Sequence, residues 1–179
     1  MQPRKGLEGW EFELRPGARA IREVLRLVER VEDKRHLSDL VFVAQACGAM
    51  KTVYQFSPFG PEPLAPVSGE LEYDLVLLEA TDQIENRPEW SIRLATAEDP
   101  QECQPVEARA YVNDPTALGL LGGTDPIVLA AMAQVMLLKS AWEDEDQVLQ
   151  KASEWLYLSQ DIIEEAMSRL AACSHAQTT

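Results

Sequence analysis

The sequence predicts an α+β chain, mainly helical, with a small antiparallel hairpin and a C-terminal helical lobe. Three observations carry that expectation. Apolar residues recur at helical spacing over most of the 179 residues. Short alternating runs of aromatic and β-branched residues interrupt the helices. Gly/Pro breaks mark each change of period. A chain of this length forms one compact domain or a small domain with a helical annex, burying about two-thirds of its unfolded surface.

Residues 1–33 read as an N-terminal arm and an arginine-striped helix. Trp10, Phe12 and Leu14 alternate with Glu11 and Glu13, as in a short strand. Over 18–31 the period becomes helical, with Ile21, Val24, Leu25, Val28 and Val31 on one stripe. Arg19, Arg22, Arg26 and Arg30 form the opposite stripe, with Glu23 and Glu29 at its margins.

Residues 34–112 read as the core. After the charged break Glu32-Asp33-Lys34-Arg35, a second helix is expected over 37–49, ending near Gly48. An aromatic strand follows at about 52–57, where Tyr54 and Phe56 alternate, and a proline-rich loop at 58–66. Phe59, Gly60 and Pro61 form the stop, since Gly-Pro makes a tight turn that a strand or helix does not cross. Ser68 is the expected cap of a third helix ending near Asp82, with Glu70 and Glu72 in its first turn, where the helix dipole favours anions. Residues 90–95 alternate as a strand, with 106–112 as hairpin partner and the acidic 97–105 segment as the tip.

Residues 113–124 hold Gly119, Gly122 and Gly123 and read as a linker. The lobe at 125–179 opens on Asp125-Pro126, a cap followed by proline at the first helical position. Helices are expected up to Trp142, over 144–157, and from Ser159 to Ala172.

Helix, aromatic strand, Gly-Pro turn, amphipathic helix and hairpin resemble a winged-helix core. Tyr54 to Pro61 resembles the aromatic motif of the uncharacterised YwgA-like family and, more distantly, of the Panacea antitoxin domain. Similarity to the YwgA-like family continues to Ile162-Ile163-Glu164-Glu165-Ala166, loosely covering 34–172. One departure is the insertion of Glu62-Pro63-Leu64-Ala65-Pro66 before Ser68, where the family has a short polar cap. The resemblance implies an accessory or regulatory subunit of a nucleic-acid-handling or toxin-neutralising system.

Composition narrows the function. The net charge is -14, with +1 in residues 1–40 (nine Lys/Arg, eight Asp/Glu) and -15 in the remainder (seven, 22). A surface that neutralises phosphates must be positive, so direct nucleic-acid binding is expected to be weak or absent. The third helix sits where winged helices read DNA, yet no Lys or Arg lies between 52 and 86. No apolar run approaches the roughly 20 residues of a membrane span, and no signal-peptide pattern opens the chain, so a cytoplasmic location without membrane contact is expected. Mean hydropathy of -0.21 agrees.

Cys47, Cys103 and Cys173 make no CxxC and read as reduced structural thiols. His36 and His175 are the only histidines, which leaves no metal site in view. His36, at a helix start, reads as a surface residue. No nucleophile elbow, Walker loop or HExxH is present, so neither enzyme activity nor a cofactor is expected. The candidate binding residues are Arg19, Arg22, Arg26, Arg30, Tyr54 and Phe59, with Phe56, Gly60 and Pro61 as structural motif. For the aromatic motif, packing in a small sheet outweighs a binding groove. The expected function is non-enzymatic, through contact with a protein partner or a second copy. Alternatives are a DNA-binding regulator using the basic N-terminal helix and an acidic DNA-mimic inhibitor.

Overall fold

The computed structural model describes residues 14–59, 63–87, 91–95, 110–141, 145–156 and 158–175. Among them the chain is mainly helical with a small three-stranded antiparallel sheet. Helix α1 spans Pro16–Val28, with proline in the first turn where its missing N–H is harmless. It ends before Val31 because Glu29 takes a left-handed conformation (φ 63°) that redirects the chain into strand β1, Arg30–Val31. Arg30 therefore leaves the helix.

Helix α2, Lys34–Ala46, begins within the presumed charged break. Asp33 supplies the reason: its Oδ1 accepts the His36 backbone N–H at 2.7 Å, a capping bond that starts the helix early. Residues 52–56 do not form the expected strand. The Gln45 side chain takes a neighbouring strand's place, accepting N–H bonds from Val53 and Tyr54 at 2.8 and 3.0 Å. Its amide also donates to the Tyr54 carbonyl at 3.0 Å. Strand β2 starts only at Ser57–Phe59 and pairs with β3, Pro63–Val67, so the presumed proline-rich loop is largely a hairpin.

Helix α3, Gly69–Ala80, is capped by Ser68, whose Oγ accepts the Leu71 N–H at 3.4 Å. Leu71, Leu75 and Leu78 face the core as their spacing predicts. The following hairpin joins β4, Ile84–Arg87, to β5, Ser91–Leu94. The strand at 90–95 thus pairs with the segment before it. Of its expected partner, Val112 instead makes a bridge to Met50, and 97–109 lies outside the described residues. The sheet order is β1-β5-β4, with Arg30 opposite Arg93 and Val31 opposite Ile92. Within residues 14–33, β1 is a strand of this sheet and α1 packs on α3 and α4.

The presumed linker contains helix α4, Pro115–Gly122, capped by Asp114 through the Ala117 N–H at 2.9 Å. Helix α5, Pro126–Ala141, opens on the expected cap, with Ile127 N–H donating to Asp125 Oδ1 at 2.8 Å. Leu129, Met132, Val135 and Leu138 are buried along it, and it packs against α2, β3 and two later helices. These are α6, Glu145–Leu156, and α7, Gln160–His175, which runs three residues past the expected Ala172. Residues on both sides of the presumed boundary belong to a single core cluster. Among the described residues no helix is long and apolar enough to cross a membrane.

Candidate functional site

The arginine stripe is less outward than its spacing implied. Arg26 and Arg30 are exposed, whereas Arg19 and Arg22 are half-buried. Arg19, Arg22 and Arg26 all engage neighbouring groups within the chain. Glu23, placed at the stripe's margin by sequence, is buried and accepts the Tyr111 N–H at 3.1 Å. Burial raises its pKa, partly offset by the backbone N–H groups of Tyr111 and Val112.

Tyr54 is not a binding-surface residue. It is 2% exposed, and its hydroxyl donates to Asp74 Oδ2 at 3.1 Å. Phe56 packs edge-on against Phe42 and Tyr54, at 5.3 and 6.5 Å between ring centroids. Phe59 belongs to β2 by its backbone; its side chain, Gly60 and Pro61 lie outside the described residues.

Asp74, on α3, is 0% exposed. Its Oδ1 lies 3.5 Å from Arg15 Nη1, and the Arg15 guanidinium also sits 5.3 Å above the Tyr73 ring. Burial raises the Asp74 pKa against the lowering effect of Tyr54 and Arg15. Burial also pushes the Tyr54 phenol up, and the adjacent Asp74 carboxylate adds to it. Gly17 lets this set close: a Cβ there would collide with Asp74 Oδ2 and approach the Tyr54 hydroxyl to 2.6 Å. With its carboxylate sealed between α1 and α3, the set docks two helices.

The opposite face of α3 is open. At about 100° per residue, Tyr73, Val76 and Ala80 fall along the centre of the outward face. Glu70, Glu72 and Glu79 lie at its margins and are also exposed. Tyr73 and Val76 are each 57% exposed. Beside Val76 runs a groove of about 460 Å³ between α2, β3 and α3, lined by Lys34, Arg35, Pro66, Leu71 and Leu75. Ser38 Oγ donates to the Pro66 carbonyl at 2.7 Å and fixes one wall.

A second groove, of about 290 Å³, lies between the N-terminal end of α2 and α5. His36 lines it and is 8% exposed, contrary to the surface position its sequence context suggested. The reason is tertiary: α5 packs over the first turn of α2. His36 Nδ1 accepts the Glu32 N–H at 3.2 Å, and Nε2 has no hydrogen-bond partner. Burial lowers the His36 pKa, while Glu32, Asp33 and Asp125 pull it upward. Gln134, on α5, lines the same groove and is 7% exposed. Sequence reasoning missed both residues. The one available signal was Gln134 itself, a polar break in the apolar α5 pattern.

Cys47 and Cys173, far apart in sequence, meet as free thiols where α2 and α7 end. Burial, reinforced by a hydrogen bond to Cys173, pushes the Cys47 thiol up to about 12. A thiol so disposed is a poor nucleophile at neutral pH. Among the described residues no cluster of His, Cys, Asp and Glu could hold a metal ion. In comparisons with known proteins, the chain matches no family model, no curated protein and no solved structure.

Proposed function

We propose that this chain is a winged-helix-like protein that works through protein–protein contacts, with the outer face of α3 as its contact surface. The fold reading is supported by element order: a helix, a strand, a helix, a short β2–β3 hairpin, a third helix and a second hairpin, with the first strand paired to the last. That order resembles a winged helix, and it puts α3 in the position that enters the major groove in DNA-binding members. The observation that carries the function is what α3 presents there. Reading base edges takes Arg, Lys, Asn or Gln. Here the exposed residues are Tyr73 and Val76, flanked by glutamates.

A helix with apolar residues on both faces is ordinarily covered on both. The face suits a partner with an apolar anchor and a basic rim, or a second copy offering such a surface. Arg26 and Arg30, the exposed members of the arginine stripe, form a secondary contact that speeds encounter with an acidic surface. Direct nucleic-acid binding is weak or absent in this reading. An accessory or regulatory subunit of a nucleic-acid-handling or toxin-neutralising system fits it, as the YwgA-like resemblance implies.

The test is a Tyr73→Ser/Val76→Asp double variant compared with wild type by thermal melt and by pull-down from the native host. Both side chains are exposed, so the melt should move little, within about 0.5 kcal/mol. A partner held by wild type should be lost. Retention of every partner by the double variant overturns the proposal. So does sub-micromolar binding of wild type to duplex DNA at about 0.15 M salt.

A further inference from the structure

Cys47 and Cys173 make a contact between the two halves of the chain. Cys47 closes the C-terminus of α2, with its N–H donating to the Val43 carbonyl at 2.8 Å. The residues after it are tied down. The Asn113 and Asp114 N–H groups both donate to the Ala49 carbonyl, at 2.9 and 3.0 Å, and Met50 bridges to Val112. Cys173 lies in the last turn of α7, a helix that packs mainly on α5 and also on α6. Both side chains pack against the hydrophobic core, and the two thiols are hydrogen-bonded to each other.

Both thiols are free, and both residues keep part of their surface open to solvent. Among the described residues they belong to no cluster that could hold a metal ion. A hydrogen-bonded pair needs only a small approach of its sulfurs to reach the disulfide length of about 2 Å. Each cysteine sits at a helix end, where fraying lets the backbone adjust. Burial pushes the Cys47 thiol up to about 12, so the pair reacts slowly at neutral pH and stays reduced until an oxidant is supplied.

We propose that Cys47 and Cys173 form a reversible disulfide under peroxide, a redox staple that ties the end of α7 to the end of α2. One thiol, as its thiolate, attacks the peroxide O–O bond; a sulfenic acid forms and one oxygen leaves as water. The second thiol attacks the sulfenyl sulfur, the S–S bond closes and the other oxygen leaves as water. The two thiols give up two electrons and two protons, and one hydrogen peroxide becomes two waters. The bond closes a loop of more than about 100 residues, which restricts the unfolded chain far more than the folded one. The staple does not depend on what the α3 face binds.

The full chain, folded and reduced, is exposed to hydrogen peroxide at neutral pH, digested without reductant and mapped by mass spectrometry. A peptide linking Cys47 to Cys173 is expected, and dithiothreitol should remove it. Oxidation should raise the folded-to-unfolded ratio at least about tenfold, read from urea unfolding. Amide exchange in the last turn of α7 should slow by at least about tenfold. Cys47→Ser and Cys173→Ser should each lack the linked peptide and show neither change, whereas Cys103→Ser should match wild type. Linkage to Cys103 instead overturns the proposal. So does sulfinic acid at either cysteine without the linked peptide, or a linked chain no more stable than the reduced one.

Discussion

Asp74 and His36 are both ionisable, both more than nine-tenths buried, and opposite in circumstance. Asp74 has partners on both oxygens, the Tyr54 hydroxyl hydrogen-bonded to Oδ2 and the Arg15 guanidinium paired by charge at 3.5 Å with Oδ1, which makes no hydrogen bond, while Gly17 packs over Oδ2 and Tyr54. His36 has Nδ1 answered by the Glu32 N–H and Nε2 without a hydrogen bond, near a groove that Gln134 also lines. Burial raises the cost of any polar group, so what separates structure from binding is whether the protein itself supplies the partner. The first region holds two helices together, and the second leaves a buried donor unanswered.

Three perturbations can break or sharpen that contrast. The largest effect is expected from Gly17→Ala. Its methyl group would be driven into Asp74 and Tyr54, and overpacking of this kind costs about 1–3 kcal/mol. The substitution also gains up to about 1 kcal/mol of helix propensity, so a net loss of up to about 2 kcal/mol is expected in the urea-unfolding free energy. A stability equal to wild type would mean that α1 and α3 are not in close contact.

Tyr54→Phe comes next. It removes the donor to Asp74 Oδ2 and leaves a buried carboxylate oxygen unanswered, for an expected loss of about 1–2 kcal/mol at neutral pH. Because the lost bond favours the charged form of Asp74, the deficit should shrink as the carboxyl is protonated in acid. A constant deficit from neutral to acid pH would show that Asp74 is not the partner that matters.

The smallest effect is a slope. His36 has a folded pKa below its ordinary value of 6.5, so its contribution is full above 6.5 and is lost as pH falls toward the folded value. Asp74 and Glu23 act in the opposite sense. Their folded pKa values are raised, so their contribution is lost as pH rises through those values. The difference between wild type and His36→Asn isolates the histidine. Between about pH 7.5 and about pH 5.5 the wild type should lose more stability than the variant, measured as urea midpoints. Parallel curves would place His36 in water.

Much of the fold was legible because it is local. Ser68 and Asp125 start helices as their side chains dictate, and the spacing of Leu71, Leu75 and Leu78 identified the buried face of α3. Two of the misreadings share a cause: a group outside the segment intervened. Gln45 satisfied the backbone that would have made 52–56 a strand, and β1 captured β5 from the side opposite its hairpin partner. The candidate sites followed the same rule. Exposure of Arg26 could be read from periodicity, whereas burial of Tyr54 against Asp74 depended on α1 meeting α3.

By itself, then, the sequence determined most of the helices, the Ser68 and Asp125 caps and the acidic, arginine-free character of α3, since each depends on neighbours within a turn or on composition. The tertiary structure alone decided that Asp74 would be sealed, that Cys47 would meet Cys173, and that His36 and Gln134 would share a cavity. Those outcomes depend on which helices pack together. A polar side chain carries no mark in sequence of whether its partner, tens of residues away, will arrive.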